Sequence, residues 1–209
     1  MRKLALSDEI LLSVDKAARY IGGEVNSVMK DKNKVDIRFA MCFPDVYEIG
    51  MSNLGMMILY NMFNEREDVW AERVFSPWLD LDKIMREKEI PLFALESQEP
   101  VKNFNFLGIT LGYEMCYTNV LQVLDLSHVS LLAKDREEDD PIVIGGGACA
   151  YNPEPIAEFF DMFYIGEGET VYDALFDAYK ANKAAGGSRK DFLFAASYSR
   201  QRGCTGKSL

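Results

Sequence analysis

The chain has 209 residues, 48% hydrophobic and 27% charged, enough for a sizeable core in one domain with appendages. Its 33 acidic residues against 23 basic ones give a formal net charge of -10, with no stripe of Lys and Arg, which argues against nucleic acid as the main partner. The longest apolar stretch, residues 51–63, is broken by Ser52, Asn53 and Asn61 and falls short of the ~20 residues a membrane span needs; Arg2, Lys3, Asp8 and Glu9 leave no apolar signal region at the start, so a cytoplasmic protein without a membrane partner is expected.

Residues 1–34 read as an N-terminal extension with one helix near residues 8–14. Residues 35–42 alternate and then turn apolar, as a strand entering a core does, and Phe43-Pro44-Asp45 ends it. Ser52 is placed to cap a helix reaching residue 64, with Leu54, Met57, Ile58 and Phe63 at helical spacing. The grammar repeats: a short strand at 72–76, a helix over 80–88 capped by Asp80, a short strand at 91–95 and a buried strand over 106–113. A helix over 115–126 follows, with Thr118 and Asn119 as caps of its later part. Residues 135–140, DREEDD, read as a solvated acidic loop without a required function.

The densest signal lies between residues 141 and 172. The apolar strand Ile142-Val143-Ile144 enters Gly145-Gly146-Gly147, a short helix at 156–160 follows, and the strand 162–165 enters Gly166-Glu167-Gly168-Glu169 before a helix over 170–182. Glycine at a strand end reaches positive φ and lets backbone amides approach a flat or phosphate-bearing ligand. In an open α/β sheet that rim is where ligands bind, although each turn taken singly is also an ordinary tight turn. Strands alternating with helices imply right-handed crossovers and a mostly parallel sheet. The expected fold is therefore a doubly wound, flavodoxin- or Rossmann-like α/β domain of about five strands over residues 35–183. Ala184-Ala185-Gly186-Gly187-Ser188 reads as a linker, with residues 189–209 outside the domain core.

Cys42, Cys116, Cys149 and Cys204 form no C-x-x-C pair, so no local zinc or iron–sulfur motif exists, and the single histidine, His128, reads as a helix-end or loop residue. Gly203 to Ser208 ends like a phosphate-binding loop, but Gln201 stands where its first glycine belongs and no long helix follows before Leu209.

The order of strand, Gly145-Gly146-Gly147, Asn152-Pro153-Glu154-Pro155, Asp161-Met162-Phe163-Tyr164-Ile165 and the GEGE turn resembles the second half of the cobalamin (B12)-binding domain that precedes the barrel in many radical S-adenosylmethionine (SAM) enzymes. Residues 35–42, 51–60 and Leu107-Gly108-Ile109-Thr110 resemble its first βα unit and middle strand, and segments 18–24 and 43–52 resemble one uncharacterised subgroup. The resemblance implies a corrinoid over the rim, with Asp45, Tyr47, Gly50, Gly166, Glu167, Gly168 and Glu169 meeting the ring and Thr110 and Gly145 to Gly147 beside the nucleotide tail. Thr110 would donate to that tail. Glu167 or Glu169 would accept from propionamides, or serve only at a helix N-terminus, and Asp45 would face the ring or bond only its own loop.

Two departures qualify the resemblance. The family's Asp-x-His-x-x-Gly, whose histidine ligates cobalt, stands here as Asp45-Val46-Tyr47-Glu48-Ile49-Gly50. A neutral phenol, titrating near pH 10, is a poor cobalt ligand, so a corrinoid would bind without a lower histidine or be absent from a pocket kept as a scaffold. The three close cysteines of a [4Fe–4S] cluster are also missing. The resemblance places cluster and SAM after Leu209, making this chain the N-terminal module of a longer enzyme, without catalytic residues of its own and partnered by the radical SAM barrel. The alternatives are a corrinoid-free docking domain of the same enzyme and a flavodoxin-like flavin module.

Overall fold

A computed structural model describes residues 3–198 and the backbone of 204–205. The main elements are α1 (Asp8–Ser13), α2 (Ala18–Ile21), β1 (Ile37–Phe43), α3 (Tyr47–Gly50), α4 (Leu54–Glu65), β2 (Val69–Phe75), α5 (Leu79–Lys88), β3 (Phe106–Thr110), α6 (Tyr117–Leu126), β4 (Ile142–Gly146), β5 (Met162–Tyr164), α7 (Tyr172–Ala184), α8 (Arg189–Tyr198) and β6 (Cys204–Thr205). Strands β1 to β5 are all parallel in the order β2-β1-β3-β4-β5, and the two-residue β6 pairs antiparallel with β5. This is the expected doubly wound α/β sheet in its flavodoxin-like strand order.

Period-two alternation sorts the strand side chains onto two covered faces. Ala40, Cys42, Leu107, Ile109, Val143 and Phe163 pack on one face with residues of α1, α5 and α6. Ile37, Phe39, Met41, Phe106, Ile144 and Met162 pack on the other with α4, α7 and α8. Phe39 is the hub of that second layer, with Phe63, Phe106, Tyr172 and Phe176 ring centroids within 6.0 Å. A Cβ on Gly108 would sit 2.5 Å from the Phe39 ring, so the glycine makes room for it. Truncating so enclosed a ring costs about 3–5 kcal/mol.

Several expected boundaries shift for identifiable reasons. β2 starts at Val69, not residue 72: it carries Glu72 and Arg73, charges that mask a strand in sequence yet are buried in pairs, Arg38 with Glu72 and Arg73 with Glu96 at 2.6 Å. Residues 91–95 form no sheet strand. They strap the free edge of β2, with Leu95 N donating to Arg73 O and Arg73 N donating to Glu96 Oε2, while Phe93 makes one antiparallel bridge to Pro100. A side-chain carboxylate thus blocks an edge that would otherwise be open to pairing. Asn53 caps α4 by accepting from Met56 N, whereas Ser52 donates to Ile49 O. Trp78, not Asp80, precedes α5, and Asp80 lies in its first turn, accepting from Leu81 N and Asp15 N. The segment 154–159 is a 3-10 turn in place of the expected helix.

The acidic run 135–140 is not a solvated loop throughout. Arg136 and Asp140 are buried; Arg136 Nη1 lies 2.8 Å from Asp161 Oδ2, which Arg189 Nη2 also meets at 2.6 Å. Asp161 Oδ2 accepts from Val143 N as well, so one carboxylate joins the loop, β4 and α8. Phe192 and Ala196 of α8 pack in the second face, so the segment after the Gly186-Gly187 turn lies on the sheet. At the other terminus, Leu6, Ile10, Val14 and Tyr20 reach the first face. The glycine–lysine–serine motif of residues 203–208 lies outside the described residues, apart from the backbone of β6.

Candidate functional site

In this strand order the topological switch lies between β1 and β3, where consecutive connections leave in opposite directions and open a crevice at the strand C-termini. Asp45 follows β1 and Tyr113 follows β3, and the two meet there: the Tyr113 hydroxyl donates to Asp45 Oδ2. Asp45 Oδ1 accepts from Val46 N at 2.7 Å, and its carbonyl accepts from Ser76 N beyond β2. Asn119 of α6 donates to Pro44 O at 2.9 Å. Asp45 therefore ties the ends of β1, β2 and β3 into one rim, and its bond is the main cause raising Tyr113 to about 12. Asn119, expected as a helix cap, instead fixes the β1 loop.

The three glycines that end β4 and follow it, Gly145 and Gly146 within the strand and Gly147 after it, have separate duties. Thr110 pairs with Gly146, Leu111 N donates to Gly146 O, and Leu111 O accepts from Cys149 N at 3.0 Å, which laces the β3 and β4 loops together. Gly147 has φ +107, and a Cβ there would stand 2.8 Å from the Leu111 carbonyl oxygen. A Cβ on Gly145 would strike the Phe163 ring at 2.8 Å. Gly146 meets only one atom at 4.0 Å, and Gly112 meets nothing within 4 Å. Gly145 and Gly147 thus serve close packing, while Gly112, which sequence reasoning passed over, and Gly146 leave backbone bare of side chains beside Thr110.

Tyr47 and Gly50 lie in α3, displaced toward β2. The Tyr47 hydroxyl donates to Glu24 Oε1 at 2.8 Å, its ring meets Phe75 edge-on, and burial followed by the Glu24 bond pushes its pKa up to about 12. Glu24 Oε2 receives Arg73 at 2.7 Å, extending the buried Arg73–Glu96 pair. Burial raises Glu24, but its backbone N–H bond, Arg73 and Tyr47 outweigh that and hold it below the ordinary carboxylate value. Gly50 admits the Phe75 ring, which a Cβ would overlap at 2.2 Å. A cobalt-ligating histidine thus has no counterpart here: the side chain in its position is a neutral phenol already bonded to a carboxylate.

Gly166, with φ +133, turns the chain after β5, and Gly168 packs against Leu59 of α4 and Tyr172. Glu167 and Glu169 are exposed, and the Glu167 carbonyl accepts from the Tyr164 hydroxyl. A 3-10 turn, Gly168–Thr170, precedes α7, so the two glutamates stand before the helix proper. The structure thus gathers Asp45, Thr110 and Gly145 to Gly147 at the β1/β3/β4 ends, with Tyr47 and Gly50 to one side and Gly166 to Glu169 to the other.

The same end of the sheet exposes large apolar side chains. Met115 is 87% exposed, Tyr151 73% and Leu54 72%, with Ile49, Ile58, Trp78, Leu79 and Tyr113 also open. His128 is exposed at the far end of α6, away from the rim. Cys42 is buried, which raises its thiol far beyond the ordinary range, and Cys116 is raised by burial too. Among the described residues no three His, Cys, Asp or Glu side chains gather as a metal site, and no helix is long and apolar enough to cross a membrane.

Comparison with known proteins adds the family. The chain is 29% identical over 133 residues to the uncharacterised protein MJ0966 of Methanocaldococcus jannaschii, a match covering 62% of this chain and 24% of the relative. The chain thus spans about a quarter of the length of the curated relative it matches. No solved structure matches it. The model of the family described as radical SAM proteins, N-terminal, matches residues 55–202, from α4 through α8. The chain belongs to that family of radical SAM N-terminal domains.

Proposed function

We propose that this chain is the N-terminal docking module of a radical SAM protein, and that its strand-end rim packs on the SAM-binding barrel. The observation that carries this reading is the set of exposed Met115, Tyr151, Leu54, Ile49 and Tyr113 side chains on the loops and helix starts around the switch point. Large apolar side chains exposed around one end of the sheet are what a covering partner would bury. The residues that order the rim, Asp45, Tyr113, Asn119 and Gly147, hold the strand-end loops in one arrangement before a partner arrives, which lowers the cost of docking. In this reading the [4Fe–4S] cluster and SAM belong to the barrel, and this chain shapes one wall of its active site.

Cobalamin is the second reading, favoured by the bare backbone at Gly112 and Gly146 beside Thr110. The residues do not fit a histidine-ligated corrinoid, because Tyr47 bonds Glu24 and packs on Phe75. A corrinoid would have to lie on the β1/β3/β4 ends without a lower protein ligand.

One experiment separates the readings. The purified chain is titrated with the radical SAM barrel of its own polypeptide by calorimetry, and separately with hydroxocobalamin while the visible spectrum is followed. Docking predicts micromolar or tighter association with the barrel that Met115→Asp weakens at least tenfold. No association would refute docking. A shifted cobalamin spectrum at micromolar concentration would establish the second reading.

A further inference from the structure

At the opposite end of the sheet, beneath the N-termini of β3 and β4, lies a cleft of about 340 Å³. That volume falls at the lower end of the range of small-molecule sites, about 300–1,000 Å³. Its walls include Lys102 and Asn105 before β3, Glu138 and Asp140 before β4, and Tyr179 and Lys183 on α7.

The polar groups are held from behind. Asp140 is 7% exposed, and its Oδ2 accepts from Glu137 N, while its carbonyl and that of Pro141 accept from the buried Arg189 guanidinium. Glu138 Oε1 accepts from Arg189 N at 2.6 Å. Asn105 is fixed on both sides, its Oδ1 accepting from Arg38 N and its Nδ2 donating to the Tyr179 hydroxyl, which keeps its own proton to donate.

Against this framework Asp140 Oδ1 is conspicuous: it is buried and has no hydrogen bond. Its nearest cation, Lys102 Nζ, is 3.6 Å away, too far for a hydrogen bond, and Lys183 Nζ stands 3.8 Å from Glu138. A buried carboxylate oxygen without a donor has lost its water without a replacement bond. The cleft is therefore lined by a buried carboxylate oxygen that has only the half-exposed Lys102 ammonium beside it and no hydrogen bond, with Lys183 and the Tyr179 phenol nearby.

We propose that this cleft binds a small zwitterion of the free α-amino-acid class, its ammonium taking the place of the half-exposed Lys102 ammonium beside Asp140 Oδ1 and its carboxylate accepting from the displaced Lys102, from Lys183 and from the Tyr179 hydroxyl. One molecule carrying both charges satisfies both halves. An isolated anion meets the carboxylates, and an isolated cation meets the lysines. The site is at the far end of the sheet from the docking rim and does not depend on it.

The test is calorimetric titration of the chain with each free L-amino acid, and with methylammonium and acetate as half-ligands. At least one amino acid is expected to bind at least tenfold more tightly than either half-ligand. Asp140→Asn, which keeps an acceptor for Glu137 N, should weaken it at least tenfold. So should Lys183→Met, whose side chain is 48% exposed and whose replacement leaves the core intact. The rim variant Met115→Asp should bind unchanged. No binding of any amino acid up to 10 mM, binding unaffected by both cleft variants, or binding of magnesium ions alone would overturn the assignment.

Discussion

The glycine run at the end of β4 gives the sharpest prediction, because three adjacent glycines that are equivalent in sequence have different consequences in the fold. Gly147 stands at φ +107 and ψ -173, a region closed to other residues, and forcing alanine there costs about 1–3 kcal/mol. The added Cβ would also press on the Leu111 carbonyl oxygen at 2.8 Å, an acceptor already bonded by Cys149 N, and displacing it forfeits about 1 kcal/mol more. The reduced freedom of the unfolded chain returns about 0.4–1 kcal/mol, leaving a net loss of about 2–3 kcal/mol. Gly146→Ala meets only a carbonyl oxygen at 4.0 Å, so it should be neutral or stabilising by a few tenths. Urea unfolding followed by circular dichroism reads the difference: with an m-value of about 3 kcal/mol/M, Gly147→Ala should lower the midpoint by about 0.8 M. Equal midpoints for the two variants would refute the division into packing glycines and open glycines.

Other expectations follow from the same network. Asp45→Asn should return one tyrosine, Tyr113, from about 12 toward about 10 in an alkaline absorbance titration; an unchanged curve would show that the Asp45 bond is not what raises it. Asp161→Asn leaves Arg136 and Arg189 buried without a carboxylate and should cost about 3–5 kcal/mol in urea unfolding, whereas a loss below 1 kcal/mol would mean that other acceptors suffice. Glu48 is held at about 2 by the bonds from Arg19 and Lys16. Its folded value lies below the unfolded one near 4.3, so the stability it contributes is present above that value and is lost as pH falls toward 2. Glu48→Gln should therefore flatten the acid limb of midpoint against pH between about 4.5 and 2, and an unaltered limb would contradict the assignment.

What was legible in the sequence follows from how local each signal is. Apolar runs such as Ile142-Val143-Ile144 announce buried parallel strands by themselves, and glycine after them announces a turn. β2 was only half visible, because Glu72 and Arg73 look like solvent-facing charges until Arg38 and Glu96 arrive from elsewhere in the chain. The acidic run around Arg136 read as solvated because the carboxylate that buries it, Asp161, comes with the next strand. At the rim, Asp45 was legible as a turn residue, but Tyr113 and Asn119 become its neighbours only once the strand order is 2-1-3. The glycine run was visible as a rim, yet its φ values and neighbours separate packing from openness. Tyr47 stood out as a substitute for histidine, while its partner Glu24 lies in the N-terminal extension and carries no local mark.

The central claim is that the strand-end rim is covered by the radical SAM barrel. Hydrogen exchange of this chain, alone and joined to that barrel in its full polypeptide, tests it most directly. The account predicts slowed exchange confined to residues 45–58, 110–117 and 147–151 when the barrel is present, with the cleft beneath β3 and β4 unchanged. Identical exchange at the rim in the two proteins would contradict it.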